Sequence, residues 1–233
     1  YDYILNKDGK IIYNLDDFIL TEVINQPENH FGYGHSSGHV SGKVIDFHPT
    51  IEVEISYRDG KQNIKTALLG DFNLYNILCA ATVGEIFHIK SEIISKSLES
   101  YTPSNHRSQL IKTKTNIVIA DCYNANPTST LAALQSLSSM KVENKVAILG
   151  DMLELGENEE VEHQNIVQFM SENNISGLLV GGIFSNLKCN FPTFEKVEFI
   201  LPYLKNMRYE NCTILIKGSR GIKLEKIIEN QIL

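Results

Sequence analysis

The stretch NIVIADCYNANPTST, residues 116–130, carries four consecutive apolar residues into an acid, two asparagines and a Pro-Thr-Ser helix start. Apolar runs without polar alternation belong to strands covered on both faces, the habit of parallel sheets. KVAILGD (145–151), GLLVGG (177–182) and CTILIKGS (212–219) repeat the plan, each ending in glycine or a polar group. LAALQSLSSM (131–140), EVEHQNIVQFMSEN (160–173) and KLEKIIENQI (223–232) space their apolar residues as helices do. Strand alternating with helix predicts an α/β unit with a Rossmann-like parallel sheet. Ligands of such sheets sit beyond the carboxyl ends of the strands, where Asp121 to Asn126 fall.

Upstream the character is α+β. KIIYNL (10–15) reads as a strand, DDFILTEVIN (16–25) as a helix, and HVSGKVIDFHPTIEVEISYRDGKQNIKTALL (39–69) as a β meander turning at Asp59-Gly60. GDFNLYNILCAATVGEIF (70–87) and SEIISKSLESY (91–101) follow as helices. HFGYGHSSGH (30–39) gathers His30, His35 and His39, which invites a metal reading, but its glycines predict a loop without fixed ligand spacing. TPSNHRSQ (102–109) has the composition of a linker and divides the chain into 1–103 and 104–233.

The 233 residues, 42% of them hydrophobic, suffice for one large domain or two ordinary ones. With 21 basic against 28 acidic residues the net charge is −7, so nothing global recommends nucleic acid or an anionic membrane as partner. No stretch approaches the ~18 apolar residues of a membrane span, and no basic-then-apolar leader precedes Tyr1. Cys79, Cys122, Cys189 and Cys212 form no C-x-x-C pair and read as small, reduced, mostly buried thiols of a cytoplasmic protein. The opening YDYILNKDG, without a starting Met, reads as the tail of a helix and hence as part of a longer protein.

Each candidate motif has two readings. Asp121 can accept from a ribose hydroxyl, with Asn124 and Asn126 offering amides beside it; alternatively the segment is a turn in which Asn126 caps a helix that begins at Pro127. Asn73 and Asn76, three apart at a helix start, share a face and can read a flat heterocycle, or are surface amides. Arg107 can clamp a phosphate or stand in a solvated linker. KGSRG (217–221) places Lys217, Ser219 and Arg220 after the last strand as an anion receptor or an ordinary turn. In LGDMLELGE (149–157), with His163 beyond, Asp151, Glu154 and Glu157 can receive an ammonium or a metal, or complement a helix dipole. A phosphate loop G-x-x-x-x-G-K-[ST] is missing: in SSGHVSGKV (36–44), Ser37 replaces the first glycine and Val44 the final hydroxyl residue. The chain alone is therefore expected to bind a nucleotide poorly.

Taken in order, GDFNLYNILCAATVG, HRSQ, DCYNANPTS, AILGDMLELGE, His163 and KGSRG resemble the motifs of the Mur ligases over almost the whole chain. DCYNANP with LGDMLELG is similar to the branch acting on UDP-N-acetylmuramoyl-tripeptide and D-alanyl-D-alanine; folate polyglutamylating ligases match less well at both strings. The resemblance implies the latter part of a central ATPase domain followed by the C-terminal Rossmann-like domain. The sugar-binding domain, the phosphate loop, a carbamylated lysine and most Mg2+ ligands would lie outside the chain.

It further implies ATP and Mg2+ as cofactors, an acyl phosphate intermediate, domain closure over the reactants and a monomer. Asn73 and Asn76 would contact adenine, Arg107 the terminal phosphate and Asp121 the ribose. Tyr123 stands where some siblings carry a lysine, and Asn124 and Asn126 would line the same site. Asp151, His163, Lys217, Ser219 and Arg220 would face the substrates, with Arg107, Lys217 and Arg220 as the catalytic cations. HRSQ departs from siblings that follow the arginine with Met and Glu. The competing readings are a folylpolyglutamate synthase-type ligase and a non-catalytic nucleotide-binding Rossmann module, the latter disfavoured because no G-x-G-x-x-G follows any strand.

Overall fold

The computed structural model describes residues 2–5, 7, 9–24, 29–47 and 49–233. The chain divides into two compact units, Tyr1–Thr102 and Pro103–Leu233.

The first unit runs α1 (Asp2–Leu5), β1 (Ile11–Asn14), α2 (Phe18–Val23), β2 (His30–Gly34), β3 (Val40–Phe47), β4 (Thr50–Tyr57), β5 (Gly60–Leu69), α3 (Asn73–Ile86) and α4 (Ser91–Ser100). Its sheet follows chain order, β1-β2-β3-β4-β5. The first three strands are parallel, and β3, β4 and β5 form an antiparallel meander. Alternation along β4 turns Ile51, Val53, Ile55 and Tyr57 inward, where they meet Leu74, Ile77, Leu78 and Ala81 of α3 and Ile94 of α4. Each buried Ile, Val or Leu among them contributes about 1.5–3 kcal/mol on leaving water. The β4–β5 turn needs its glycine, because Gly60 has φ +145°, a backbone closed to most L residues. Asp17 caps α2 by accepting from the N–H groups of Ile19 and Leu20.

One expectation fails in this unit. His30–Gly34 is not a loop but the strand β2, seated between β1 and β3. Its glycines serve close packing: a Cβ on Gly32 would stand 2.7 Å from the Leu15 side chain. His30 is buried on this strand while His35 is exposed. Among the described residues no three His, Cys, Asp or Glu side chains gather as metal ligands. Of the expected N-terminal helix tail and of DDFILTEVIN, residues 1, 6, 8 and 25 lie outside the described residues.

The second unit runs β6 (Gln109–Lys112), β7 (Ile117–Asp121), α5 (Pro127–Ser139), β8 (Asn144–Gly150), α6 (Glu159–Glu172), β9 (Ser176–Val180), α7 (Gly182–Asn186), β10 (Thr193–Phe194), α8 (Val197–Met207), β11 (Cys212–Lys217) and α9 (Glu225–Glu229). The sheet order is β10-β9-β8-β11-β7-β6, parallel throughout except that β6 opposes β7. This is the α/β parallel-sheet architecture that the apolar runs predict. Val146, Ile148, Leu178, Val180, Ile214 and Ile216 pack with Ile200 and Leu204 of α8 and Ile227 of α9. The alternate residues Ala147, Leu149, Leu179 and Leu215 are equally buried, on the side where α5 and α6 lie against the sheet. Covered on both faces, the strands had no use for polar alternation.

Two features of this sheet build the site. The parallel register sets Lys217 of β11 directly beside Asp121 of β7. Because β6 runs antiparallel, with Gln109 opposite Ala120, its lead-in residues Arg107 and Ser108 arrive at the carboxyl end of β7.

Candidate functional site

The carboxyl edge of the second unit's sheet collects polar groups from four segments. Lys217 Nζ lies 2.6 Å from Asp121 Oδ2 and donates to the Asn124 carbonyl at 3.1 Å. Asp121 Oδ1 accepts from the Ser108 backbone N–H at 2.9 Å and from its hydroxyl at 3.2 Å. The carboxylate therefore holds three donors, leaving about one of its four acceptor positions open. An ammonium withdrawn from water this way is tolerable only because it is paired and hydrogen-bonded. Cys122, next along the chain, points to the opposite face, and burial followed by the charge of Asp121 pushes its thiol up to about 12.

Asp151, at the end of β8, serves differently. Its Oδ2 accepts from the Ile183 N–H at 2.9 Å and its Oδ1 from the Phe184 N–H at 3.0 Å, anchoring the start of α7. Gly181 has φ +134°, and a Cβ there would collide with the Asp151 carboxylate; only glycine permits this approach. His163 accepts the Met152 N–H on Nε2 at 2.9 Å and reaches the Glu159 carbonyl from Nδ1 at 2.6 Å. A carbonyl cannot donate, so the proton sits on Nδ1 and Nε2 is an acceptor. Its approach of 3.8 Å to Asp151 Oδ1 is accordingly a contact rather than an ion pair. Ser219 Oγ accepts the Leu153 N–H at 2.9 Å and lies 3.4 Å from the Ala125 carbonyl.

Burial separates the sequence candidates into two sets. Asp151, His163, Lys217 and Ser219 are 3%, 0%, 3% and 4% exposed, with their polar atoms engaged inside the protein. Sequence reading assigned all four to substrate; their polar atoms meet neighbouring strand ends and loops of the same unit. Arg107, Asn124, Asn126 and Arg220 are exposed, and Tyr123 is 42% exposed. The Arg107 guanidinium carbon lies 3.9 Å from the centre of the Tyr123 ring and that of Arg220 lies 5.7 Å from it, both within cation–π range. Asn126 caps α5: its side chain accepts the Ser129 N–H at 2.8 Å, and Pro127 takes the first helical position.

In the first unit, Asn76 Nδ2 donates to Asn73 Oδ1 at 2.9 Å, and Asn73 Nδ2 donates to the Leu69 carbonyl at 2.6 Å. The pair meets as the three-residue spacing requires. Asn73 is buried and Asn76 is exposed.

Sequence reading missed Ser108, which completes the hold on Asp121, and Gly181. An antiparallel edge strand after a linker leaves little trace in four residues of β6, whereas GG at 181–182 was a visible sign of an unusual backbone.

Two family models match: the Mur ligase middle domain over residues 4–84 and the Mur ligase, glutamate ligase domain over residues 106–220. The chain belongs to the Mur ligase family and carries these two domains. It is 30% identical over 245 residues to UDP-N-acetylmuramoyl-tripeptide--D-alanyl-D-alanine ligase of Bacillus subtilis (strain 168), a match covering 98% of this chain and 52% of that protein. MurF from Acinetobacter baumannii superposes with a TM-score of 0.82 at 26% identity, over 96% of this chain and 51% of the other. MurF ligase from Thermotoga maritima in complex with ADP shares the fold, with a TM-score of 0.81 at 19% identity over 95% of this chain and 52% of the other. The chain spans about half the length of the curated relatives it matches.

Proposed function

We propose that the protein containing this chain is an ATP-dependent ligase that joins D-alanyl-D-alanine to UDP-N-acetylmuramoyl-tripeptide in peptidoglycan precursor synthesis. The observation that carries it is Asp121, held by Lys217 and Ser108 at the carboxyl edge of the sheet with one acceptor position open, in a chain 30% identical to the Bacillus subtilis ligase. A carboxylate oxygen of the tripeptide attacks the terminal phosphorus of ATP and ADP leaves. The dipeptide amine then attacks the acyl carbon, loses a proton, and phosphate departs. Holding amine and acyl phosphate together turns a bimolecular step into a positioned one.

In this reading Asp121 of the second unit accepts from a ribose hydroxyl, with Asn124 and the capping Asn126 beside it; in the first unit Asn76, held to Asn73, offers an amide suited to the edge of a heterocycle such as adenine. Arg107 and Arg220 stabilise charge on the transferring phosphoryl group. Lys217, Ser219, Asp151 and His163 are positioning residues, their polar atoms already engaged. Mg2+ finds no complete site among the described residues: no three His, Cys, Asp or Glu side chains gather there, Asp151 has both oxygens taken by N–H groups, and Asp121 keeps a single open acceptor position. Free thiols at all four cysteines and the absence, among described residues, of a helix able to cross a membrane are compatible with a monomer working in the cytoplasm.

The full-length protein given ATP, UDP-N-acetylmuramoyl-tripeptide and D-alanyl-D-alanine releases phosphate only when all three are present. Release that ignores the dipeptide, or that glutamate supports instead, overturns the assignment.

A further inference from the structure

We propose that the Tyr123 ring is a positioning device that holds Arg107 and Arg220 as one paired receptor for a polyphosphate or phosphoryl anion. The proposal deepens the ligase reading and rests on it for the identity of the anion, but the receptor itself is testable without catalysis.

Three observations carry it. Two guanidinium groups, one ahead of β6 and one beyond β11, both lie within cation–π distance of a single ring that follows β7, at 3.9 and 5.7 Å. The three segments are neighbours in the sheet, so the stack bridges adjacent strand ends. Both arginines are exposed, and among the described residues neither has a carboxylate partner. The acids at that edge are already engaged: Asp121 by Lys217 and Ser108, Asp151 by the Ile183 and Phe184 N–H groups. Two unpaired like charges brought to one ring repel each other, and the ring quadrupole offsets only part of that. An anion between their forks supplies the rest, and a planar guanidinium matches phosphate oxygens two at a time. Half-exposed, with no hydrogen bond to its hydroxyl among the described residues, Tyr123 acts through its face rather than its oxygen.

Inorganic tripolyphosphate is the probe, titrated calorimetrically into the 233-residue chain at low ionic strength, with thermal melts as a folding control. Tyr123→Phe keeps the ring and binds within about twofold of wild type. Tyr123→Leu weakens binding by roughly 5- to 10-fold, as does Arg220→Gln, a surface change that leaves folding intact. Absence of binding by wild type, wild-type affinity in Tyr123→Leu or Arg220→Gln, or a Phe variant as weak as the Leu variant each overturns the receptor. In the full-length ligase, Tyr123→Leu lowers kcat by about 10-fold with the KM for D-alanyl-D-alanine unchanged. If wild type lacks ligase activity, the ligase reading falls while the titration still decides the stack.

Discussion

Asp121 and Asp151 are the same residue at equivalent places, each at the carboxyl end of a parallel strand of one sheet. Their surroundings give them different work. Asp151 is closed off, with both oxygens taken by the first N–H groups of α7. Asp121 is held by a buried lysine and by Ser108, and its side chain stays 17% exposed. What separates the closed aspartate from the open one is the direction from which the donors come, which residue type and strand position do not encode. His163 and Ser219 fall with Asp151: chemically versatile side chains whose partners are backbone groups of neighbouring loops.

The largest effect that would break this contrast is expected at the closed aspartate. Asp151→Ala strands two backbone N–H groups at the start of α7 and removes charge-assisted bonds of about 1.5–3 kcal/mol each. The second unit is expected to lose about 3–5 kcal/mol in urea unfolding followed by circular dichroism. A loss below about 1 kcal/mol would mean that Asp151 is not a fastener and return it to the candidates for substrate binding.

At the open aspartate the effect is smaller and shared with Lys217. Removing either partner leaves the other charge uncompensated, whereas removing both does not, so Asp121→Asn and Lys217→Met are expected to be non-additive. A double-mutant cycle in urea reads the coupling, expected at about 2 kcal/mol, within the range for residues in contact. Additivity within about 0.3 kcal/mol would show that Lys217 does not hold Asp121, and the positioning role assigned to that lysine would lapse.

The strands of this sheet were legible because burial on both faces writes an unbroken apolar run, and the run tells where the ligand edge lies. The meander was legible from alternation in IEVEISY and from Asp59-Gly60. β2 was not: glycines at 32 and 34 look like loop residues, yet they are there to let Leu15 and Asp16 approach. In the site, residue identity announced which side chains gather at the edge but not their exposure. Lys217 reads as an unpaired cation in the sequence, and its pairing with Asp121 shows only in the register. Ser108 carries no signal of its own, since its role depends on an antiparallel pairing of only four residues.

The smallest expected effect sharpens the contrast from underneath. Cys122 follows Asp121 and points into the layer beneath α8 and α9, so its reactivity reports whether the support of the open aspartate is as tight as that of the closed one. With the thiol pushed up to about 12 by burial, roughly one molecule in 10⁴ carries a thiolate at pH 8, and the thiolate is the reacting form. Because the ordinary thiol sits near pH 8.5, the folded state favours the protonated form. Its contribution to stability is complete below that value and lost as pH climbs toward 12. Iodoacetamide at pH 8 followed by mass spectrometry is expected to label partly exposed Cys189 long before Cys122. Equal labelling rates would reveal frequent opening beneath Asp121, making its grip by Lys217 a transient arrangement rather than a built one.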